Sequence, residues 1–365
     1  MMNYCEKIEY SIYKSNKKFS ANCVDELLSR LPKGKNILRL VFFDRICDNE
    51  EYEAKLVLLR EKINSLFFEN RPVLTFVSQA PLDAEVVLEV QSYMLEKGEH
   101  LSYRSYEDYS YVVLENHDGR FLFVGGIQGK VTEQTIKNQA DFLFKPLAKI
   151  LKYEQIPVQN IIRQWNYIEQ ITKIVDSDQN YQLLNNARSD FYRTADWSNG
   201  YPAATGIGTQ WGGLLVDLDA AQFFSENCFA TPIDNKLQIA AHTYSTQVLE
   251  VAGQRKMTPK FERAKSITFG DRRIVYISGT AAIRGEEALV GVGLKCQLQI
   301  TMENIAQLTG DAKLRFLRVY LKEHSFYEEA HRLMEEYRLD IPISYLLADV
   351  CRDELLIEIE GIAIE

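Results

Sequence analysis

LLIEIEGIAI, residues 355–364, sets two acids into an otherwise apolar run. Acidic and apolar residues alternate there, and this spacing of two predicts a β-strand with both acids on one face. LLVDLDA, residues 214–220, repeats the pattern with Asp217 and Asp219 in place of Glu358 and Glu360. Two strands with the same acid spacing, far apart in the chain, indicate an internal repeat.

The elements around these two strands follow the same order. Periodicity predicts β-β-α-β-α-β-β over residues 110–220 and again over 264–363, whereas residues 36–94 show only β-α-β-β. A proline precedes each acid pair at a similar distance, with Pro202 fifteen positions before Asp217 and Pro342 sixteen before Glu358. We therefore predict an α+β fold with a truncated N-terminal unit and tail (1–100), a first full unit (101–235) and a C-terminal unit (236–365).

Composition narrows the functional class. The chain has 365 residues, 46% of them hydrophobic and 25% charged, as in an ordinary globular protein. A formal net charge of -9 argues against a nucleic-acid partner, which would require a basic face.

The sequence also predicts a cytoplasmic protein without a metal. Six scattered cysteines without a CxxC pair are typical of reduced thiols. The five histidines lack the spacing of a zinc site, so we expect no metal. No apolar run approaches 18 residues, so no membrane span is expected. The N-terminal stretch lacks the apolar core of a signal peptide, which favours a cytoplasmic location.

Several strings carry a resemblance to a known family. VYISGTAAI (275–283) and the closing acid strand resemble the YjgF/RidA family, whose chorismate mutase-like fold packs mixed sheets against helices. The strings NIIRQWNYIEQI, NYQLLNNARSDFY, NGYPAATGIGT, SGTAAIRGEE and ADVCRDELLIEIEG resemble the chorismatases, two-domain members of that superfamily. The resemblance covers residues ~110–365. It implies cleavage of chorismate to pyruvate and either a dihydroxycyclohexadiene carboxylate or 3-hydroxybenzoate, with no cofactor.

Glu358 is the predicted catalytic acid. Its apolar strand should raise the pKa of the carboxyl group, and the neighbouring Glu360 on the same face should favour protonation of one of the two. Such a carboxylic acid suits the transfer of a proton to the enol ether of chorismate. The family's catalytic acid matches Glu358, although a pair of solvent-exposed strand acids is the alternative interpretation.

A dicarboxylate substrate requires arginines, because a guanidinium group binds a carboxylate through two hydrogen bonds. Arg163 lies inside an apolar strand, where a charge needs a partner. Tyr201 could line the same pocket. Cys351 and Ala264 match positions that steer the product in the family; Cys351 resembles the aromatising branch and Ala264 the hydrolytic branch, so the product stays open. The predicted substrate-binding residues are Arg163, Arg188, Arg263, Arg352, Tyr201 and Ala264, and the predicted catalytic residues are Glu358 and Cys351.

Two other functions remain open. Small RidA-type enamine/imine deaminases carry an arginine just after the closing proline, but here Ile343 follows Pro342. A non-catalytic ligand-binding member of the superfamily is the second alternative. The resemblance is compatible with a homo-oligomer such as a trimer, or with a monomer that has internal pseudo-symmetry.

Overall fold

The computed structural model describes residues 3–132, 134–175, 178–243, 250–251, 254–255 and 258–365. Three mixed β-sheets make up the core of this part of the chain, and two helices cover one face of each sheet. The opposite faces pack against one another in the interior. The predicted α+β class with mixed sheets packed against helices is confirmed.

The N-terminal sheet has the strand order β1-β4-β2-β3. The predicted β-α-β-β order corresponds to β2, α3, β3 and β4. Three further elements, α1, β1 and α2, precede it, so the unit is more complete than predicted. Its elements are α1 (Tyr4–Lys7), β1 (Ile8–Ser15), α2 (Ala21–Ser29), β2 (Asn36–Asp44), α3 (Asn49–Phe67), β3 (Val73–Val77) and β4 (Val86–Tyr93).

The middle sheet has the order β11-β8-β12-β7-β6-β5. Its predicted central strands and both helices are present, and β5 is an additional edge strand. Its elements are β5 (His100–Tyr106), β6 (Tyr109–Glu115), β7 (Gly119–Gln128), α4 (Ile136–Tyr153), β8 (Ile161–Glu169), β9 (Ile174–Val175), β10 (Asp178–Gln179), α5 (Asn180–Tyr192), β11 (Ala203–Thr209) and β12 (Leu214–Phe223).

The C-terminal sheet repeats the same six-strand order as β13-β16-β17-β22-β20-β21. Its edge strand β13 lies in the range expected for the middle unit but pairs with β16. The elements are β13 (Cys228–Ile233), β14 (Glu250–Val251), β15 (Gln254–Arg255), β16 (Ala264–Phe269), β17 (Arg272–Ala281), β18 (Ile283–Arg284), β19 (Glu287–Ala288), α6 (Gly293–Thr309), β20 (Lys313–Leu321), α7 (Tyr327–Glu335), β21 (Ile343–Leu347) and β22 (Ile357–Ile364).

Equivalent arginines show how closely the three units correspond. Each unit has one arginine that lies opposite the second residue of the acid pattern on the adjacent antiparallel strand. These arginines are Arg39 on β2, Arg163 on β8 and Arg318 on β20. These opposite residues are Gln91, Asp219 and Glu360. All three sheets therefore share one register at their centre.

Each arginine also reaches an acid of another unit. Arg39 pairs with Asp219 at 2.7 Å, Arg163 pairs with Glu360, and Arg318 pairs with Glu89 at 2.5 Å. All of these side chains are buried, and a buried charge is tolerated only when it is paired and hydrogen-bonded. The three ion pairs close a ring that fixes the units relative to one another.

Candidate active site

A cleft of about 600 Å³ opens between the middle and C-terminal sheets. This volume is typical of a pocket for a small organic ligand. Side chains from α5, β11, β17, β22 and the loop before β22 line it. Five of the predicted site residues meet there, namely Arg188, Arg263, Cys351, Arg352 and Glu358.

Glu358 lies at the inner end of this cleft. Its side chain projects from β22, where the backbone pairs with Ala281 on one side and with Tyr320 on the other. The residue is 5% exposed, and no described residue donates a hydrogen bond to its carboxyl group. The carboxyl occupies the space next to Gly279, where a β-carbon would collide with Oε1. The absence of a side chain at Gly279 thus makes room for the acid.

The surroundings of Glu358 favour its protonated form. Burial raises the pKa of Glu358 to about 8, and the negative charge of Glu360 adds to this effect. Arg263 and Arg163 act in the opposite direction without cancelling it. At neutral pH, Glu358 is therefore a carboxylic acid that holds a proton inside the cleft.

Glu360 has the opposite environment, although it is only two residues away. Its Oε1 accepts hydrogen bonds from Arg318 Nη1 at 2.8 Å and from the Tyr320 hydroxyl at 2.9 Å, while Oε2 accepts from Arg163 and Thr205. Burial alone would raise the pKa of Glu360, but Arg163 and Arg318 outweigh it and hold the pKa below its usual value. The two acids share one strand face and differ in charge because only one of them has donors.

Three arginines supply positive charge to the cleft. Arg188 is buried on α5; its Nη2 donates to Asn185 Oδ1 at 2.6 Å, and its Nε makes no hydrogen bond to the described residues. Arg263 donates to the carbonyl of Ile239, and Arg352 donates to that of Glu286. A buried guanidinium that pairs with no carboxylate of the described residues, as at Arg188, is suited to bind an anionic ligand.

Cys351 lines the cleft as a neutral thiol. Burial raises its pKa to about 12, and the nearby Glu358 contributes further. A neutral thiol is a poor nucleophile, so this environment suits a side chain that forms part of the cleft wall.

Three predicted site residues lie outside the cleft. Arg163 stacks on Trp165 and makes an ion pair with Glu360, and it does not line this cleft. Tyr201 stacks on Trp197. Ala264 is fully buried at the start of β16, opposite Ile277. Arg163 was correctly expected to be buried and paired, but the sequence does not show that its partner comes from another unit.

Sequence reasoning missed two residues that shape the site. Thr205 donates to Glu360 and accepts hydrogen bonds from Arg163 and from the backbone N–H of Gly279. Gly279 provides the space for Glu358. Both lie in strings that carried the family resemblance, NGYPAATGIGT and SGTAAIRGEE, and this was the available signal.

The described residues offer no evident metal site. No group of three or more His, Cys, Asp or Glu side chains in this part of the chain is arranged to hold a metal ion. None of its helices combines the length and the apolar character needed to cross a membrane.

Comparison with known proteins supports the resemblance seen in the sequence. Residues 100–219 match the family model described as chorismatase FkbO/Hyg5-like, N-terminal. A 3-hydroxybenzoate synthase from Streptomyces hygroscopicus is 27% identical over 267 residues, which span 67% of this chain and 74% of the relative. The chain is similar to the chorismatases.

Two further comparisons agree with this relationship. A chorismatase from Streptomyces rapamycinicus is 27% identical over 223 residues, or 56% of this chain and 64% of that protein. The crystal structure of a chorismatase superposes with a TM-score of 0.70 and covers 98% of both chains at 18% identity. The chorismatase fold therefore extends over nearly the whole chain, including the N-terminal unit that the sequence strings did not cover.

Proposed function

We propose that this chain is an enzyme that cleaves the enolpyruvyl ether of chorismate and releases pyruvate, with Glu358 as the general acid. The observation that carries the proposal is a buried carboxyl with a pKa of about 8 and no hydrogen-bond donor among the described residues, in a cleft with three arginines. The related chorismatase and 3-hydroxybenzoate synthase support chorismate as the substrate.

The proposed reaction begins with proton transfer. Glu358 gives its proton to the methylene carbon of the enol ether, and the ether carbon becomes an oxocarbenium-like centre. Water adds to that carbon and loses a proton, which restores Glu358. The hemiketal then collapses: the bond between its carbon and the ether oxygen on the ring breaks, the hydroxyl proton of the hemiketal passes to that ether oxygen, and pyruvate leaves while the ring keeps a hydroxyl group.

The arginines account for the charge of the substrate. Chorismate carries two carboxylates, and Arg188, Arg263 and Arg352 offer guanidinium groups on different walls of the cleft. Binding by local arginines overcomes the overall negative charge of the protein, because interactions in a partly buried cleft are screened less than those at the surface.

The direct test is pyruvate release from chorismate, followed with lactate dehydrogenase and NADH. Wild-type protein should produce pyruvate, and Glu358→Gln should lower kcat by at least about 100-fold, the usual contribution of a general acid. Glu336→Gln, which removes an exposed carboxylate just after the end of α7, is the matched control and should keep full activity. An active Glu358→Gln variant would refute the assignment of the acid, and absence of pyruvate from the wild type would refute the function.

Chromatography of the ring product distinguishes the two branches of the reaction. A dihydroxycyclohexadiene carboxylate would indicate hydrolysis alone, and 3-hydroxybenzoate would indicate aromatisation.

A further inference from the structure

Arg318 connects the three units at one point in the interior. Its Nε donates to Glu89 Oε2 at 2.7 Å, its Nη2 lies 2.5 Å from the same oxygen in an ion pair, and its Nη1 donates to Glu360 Oε1 and to the Tyr167 hydroxyl, both at 2.8 Å. Glu89 belongs to the N-terminal unit, Tyr167 to the middle unit and Glu360 to the C-terminal unit. Because all four side chains are buried, movement of any one of them must be accommodated by the others.

The contacts continue from Arg318 to the catalytic cleft. Glu360 Oε2 accepts a hydrogen bond from the hydroxyl group of Thr205. The same hydroxyl oxygen accepts a hydrogen bond from the backbone N–H of Gly279 at 2.9 Å. The carboxyl of Glu358 rests against Gly279. A continuous chain of hydrogen bonds and packing contacts thus runs from Glu89 to Glu358.

We propose that Glu89 of the N-terminal unit is a positioning residue for catalysis, because it holds Arg318 and, through Glu360, Thr205 and Gly279, sets the place and the charge environment of Glu358. This inference rests on the proposed function of Glu358. It gives the first hundred residues a role in the reaction, although none of them lines the cleft.

Glu89 and Glu360 share the cation of Arg318; burial raises the pKa of Glu89, and Arg318 opposes that rise. Arg318 divides its hydrogen bonds between Glu89 and Glu360, so Glu360 is only partly neutralised and its remaining charge favours the protonated form of Glu358. Without the charge of Glu89, the cation at Arg318 is opposed by one acid fewer. The ionised form of Glu358 then becomes less costly, and its pKa falls.

Other charged or titratable groups also lie near Glu358 and near Arg318, the two ends of this series of contacts. Most of them lie on elements outside β22, so the substitution of Glu89 changes one charge and leaves these in place. Around Glu358 they are Glu360, Arg163, Arg188, Arg263, Arg352, Cys351 and Tyr181. Around Arg318 they are Glu89, Tyr167, Tyr320, Asp217 and Glu360.

The pH dependence of pyruvate release tests the proposal. Glu358 must be protonated to act, so kcat/KM of the wild type should fall as the pH rises through about 8. In Glu89→Gln, which keeps the shape of the side chain and removes its charge, this alkaline limb should move to lower pH by ~0.5–1 unit, the size expected for a buried charge that acts without direct contact. Glu360→Gln should move it further in the same direction.

Two controls separate positioning from simple structural support. Glu9→Gln removes an acid of β1 that pairs with Lys35 near the surface, and should leave the limb unchanged. Glu89→Asp keeps the charge but draws the carboxylate back by one methylene, so kcat should fall while KM and the limb stay unchanged. If Glu89→Gln does not fold, Glu89→Asp still decides the question, because an unchanged kcat would overturn the proposal. An unmoved limb in a folded Glu89→Gln would also overturn it.

A second readout separates this proposal from the proposed function. Carbon-13 NMR of protein labelled at the glutamate side-chain carboxyl carbon gives the pKa of Glu358 directly, with Glu358→Gln identifying the signal. If the wild type releases no pyruvate, the proposed function fails. A Glu358 pKa that is equal in the wild type and in Glu89→Gln would independently refute the effect of Glu89.

Discussion

The proton on Glu358 has a consequence for stability as well as for chemistry. The pKa of this carboxyl is about 8 in the folded protein, against 4.5 for an ordinary glutamate. Between these values the folded state binds a proton that the unfolded state releases, so the free energy of unfolding falls as the pH rises from about 4.5 to 8. Above pH 8 the full cost of the buried charge, on the order of 3–5 kcal/mol, is present.

Glu358→Gln should therefore stabilise the protein at high pH. We expect the free energy of unfolding of this variant to exceed that of the wild type by an amount that grows from pH 5 to pH 9, measured by urea denaturation at each pH. Glu336→Gln, an exposed acid, should show no such trend. A constant difference between Glu358→Gln and the wild type would contradict the raised pKa.

Gly279 is the residue that gives this acid its space. An added methyl group would collide with Glu358 Oε1 and lie 3.1 Å from Thr205 Cγ2, so the carboxyl must move. We expect Gly279→Ala to lower kcat for pyruvate release by about 100-fold, since a displacement of 1 Å costs that much in catalysis.

Gly361→Ala is the control for this effect. Its methyl group would meet Leu317 Cδ2 and the carbonyl of Phe316, both at 2.5 Å and within the C-terminal sheet. This variant should lower Tm and keep the kcat of the folded fraction. Full activity of Gly279→Ala would show that Glu358 does not need its present position.

At the scale of elements, helix α5 presents one face to the cleft. Tyr181, Asn185 and Arg188 lie at spacings of four and three residues, so they share that face, and all three line the cleft. Asn185 accepts a hydrogen bond from Arg188 and fixes the orientation of the guanidinium. The helix thus delivers a charge that is already aimed before a ligand binds.

Arg188→Lys tests this orientation. A lysine keeps the charge but loses the planar fork that binds a carboxylate through two hydrogen bonds. We expect KM for chorismate to rise about 10- to 100-fold, equivalent to one or two charge-assisted hydrogen bonds, with a smaller change in kcat. Arg193→Lys, at an exposed position just after the same helix, should leave KM unchanged, and an unchanged KM in Arg188→Lys would exclude that arginine from substrate binding.

The strands show how much of the fold could be predicted from the sequence. Strands such as β12 and β22 are apolar with acids in alternation, so their pattern predicted both the strand and the shared face of the acids. Strand β1 is only half-buried over most of its length, and β13 contains Pro232 at a sheet edge, so neither carries a clear pattern. Strands that are half-buried or lie at a sheet edge, such as β1 and β13, are the ones that local periodicity describes least well.

In the candidate site, the environment that a residue has within its own strand could be predicted from the sequence. Its contacts with residues of another unit could not. Glu358 could be predicted from its apolar neighbours and the family resemblance. Arg163 was recognised as a buried cation, but its partner Glu360 is 197 positions away and belongs to a different sheet. No pattern local to β8 distinguishes an arginine that binds a substrate from one that binds an acid of the next unit.

At the scale of the whole molecule, the chain contains three related units where the sequence indicated two and a remnant. Each unit supplies one central arginine, and each arginine binds an acid of another unit. The first acids of the three patterns, Glu89, Asp217 and Glu358, differ in the hydrogen-bond donors around them. Asp217 accepts from Thr75 and from the N–H of Gly126, and Glu89 is bound by Arg318, whereas Glu358 has no donor among the described residues. Of these three equivalent acids, Glu358 is thus the one suited to give up a proton.

The ion pair between Arg39 and Asp219 should hold the N-terminal and middle units together without affecting the chemistry. Arg39→Met leaves Asp219 buried without its cation, which should cost about 3–5 kcal/mol of unfolding free energy. The double variant Arg39→Met/Asp219→Leu should be less destabilised than the sum of its single variants by at least ~1.5 kcal/mol, measured as a double-mutant cycle in urea. Additive effects would mean that the pair does not couple the units. Because Arg39 has no hydrogen bond or ion pair to Glu360 or Glu358, the folded double variant should retain the alkaline limb of the wild type, which distinguishes this interface from the one that passes through Arg318.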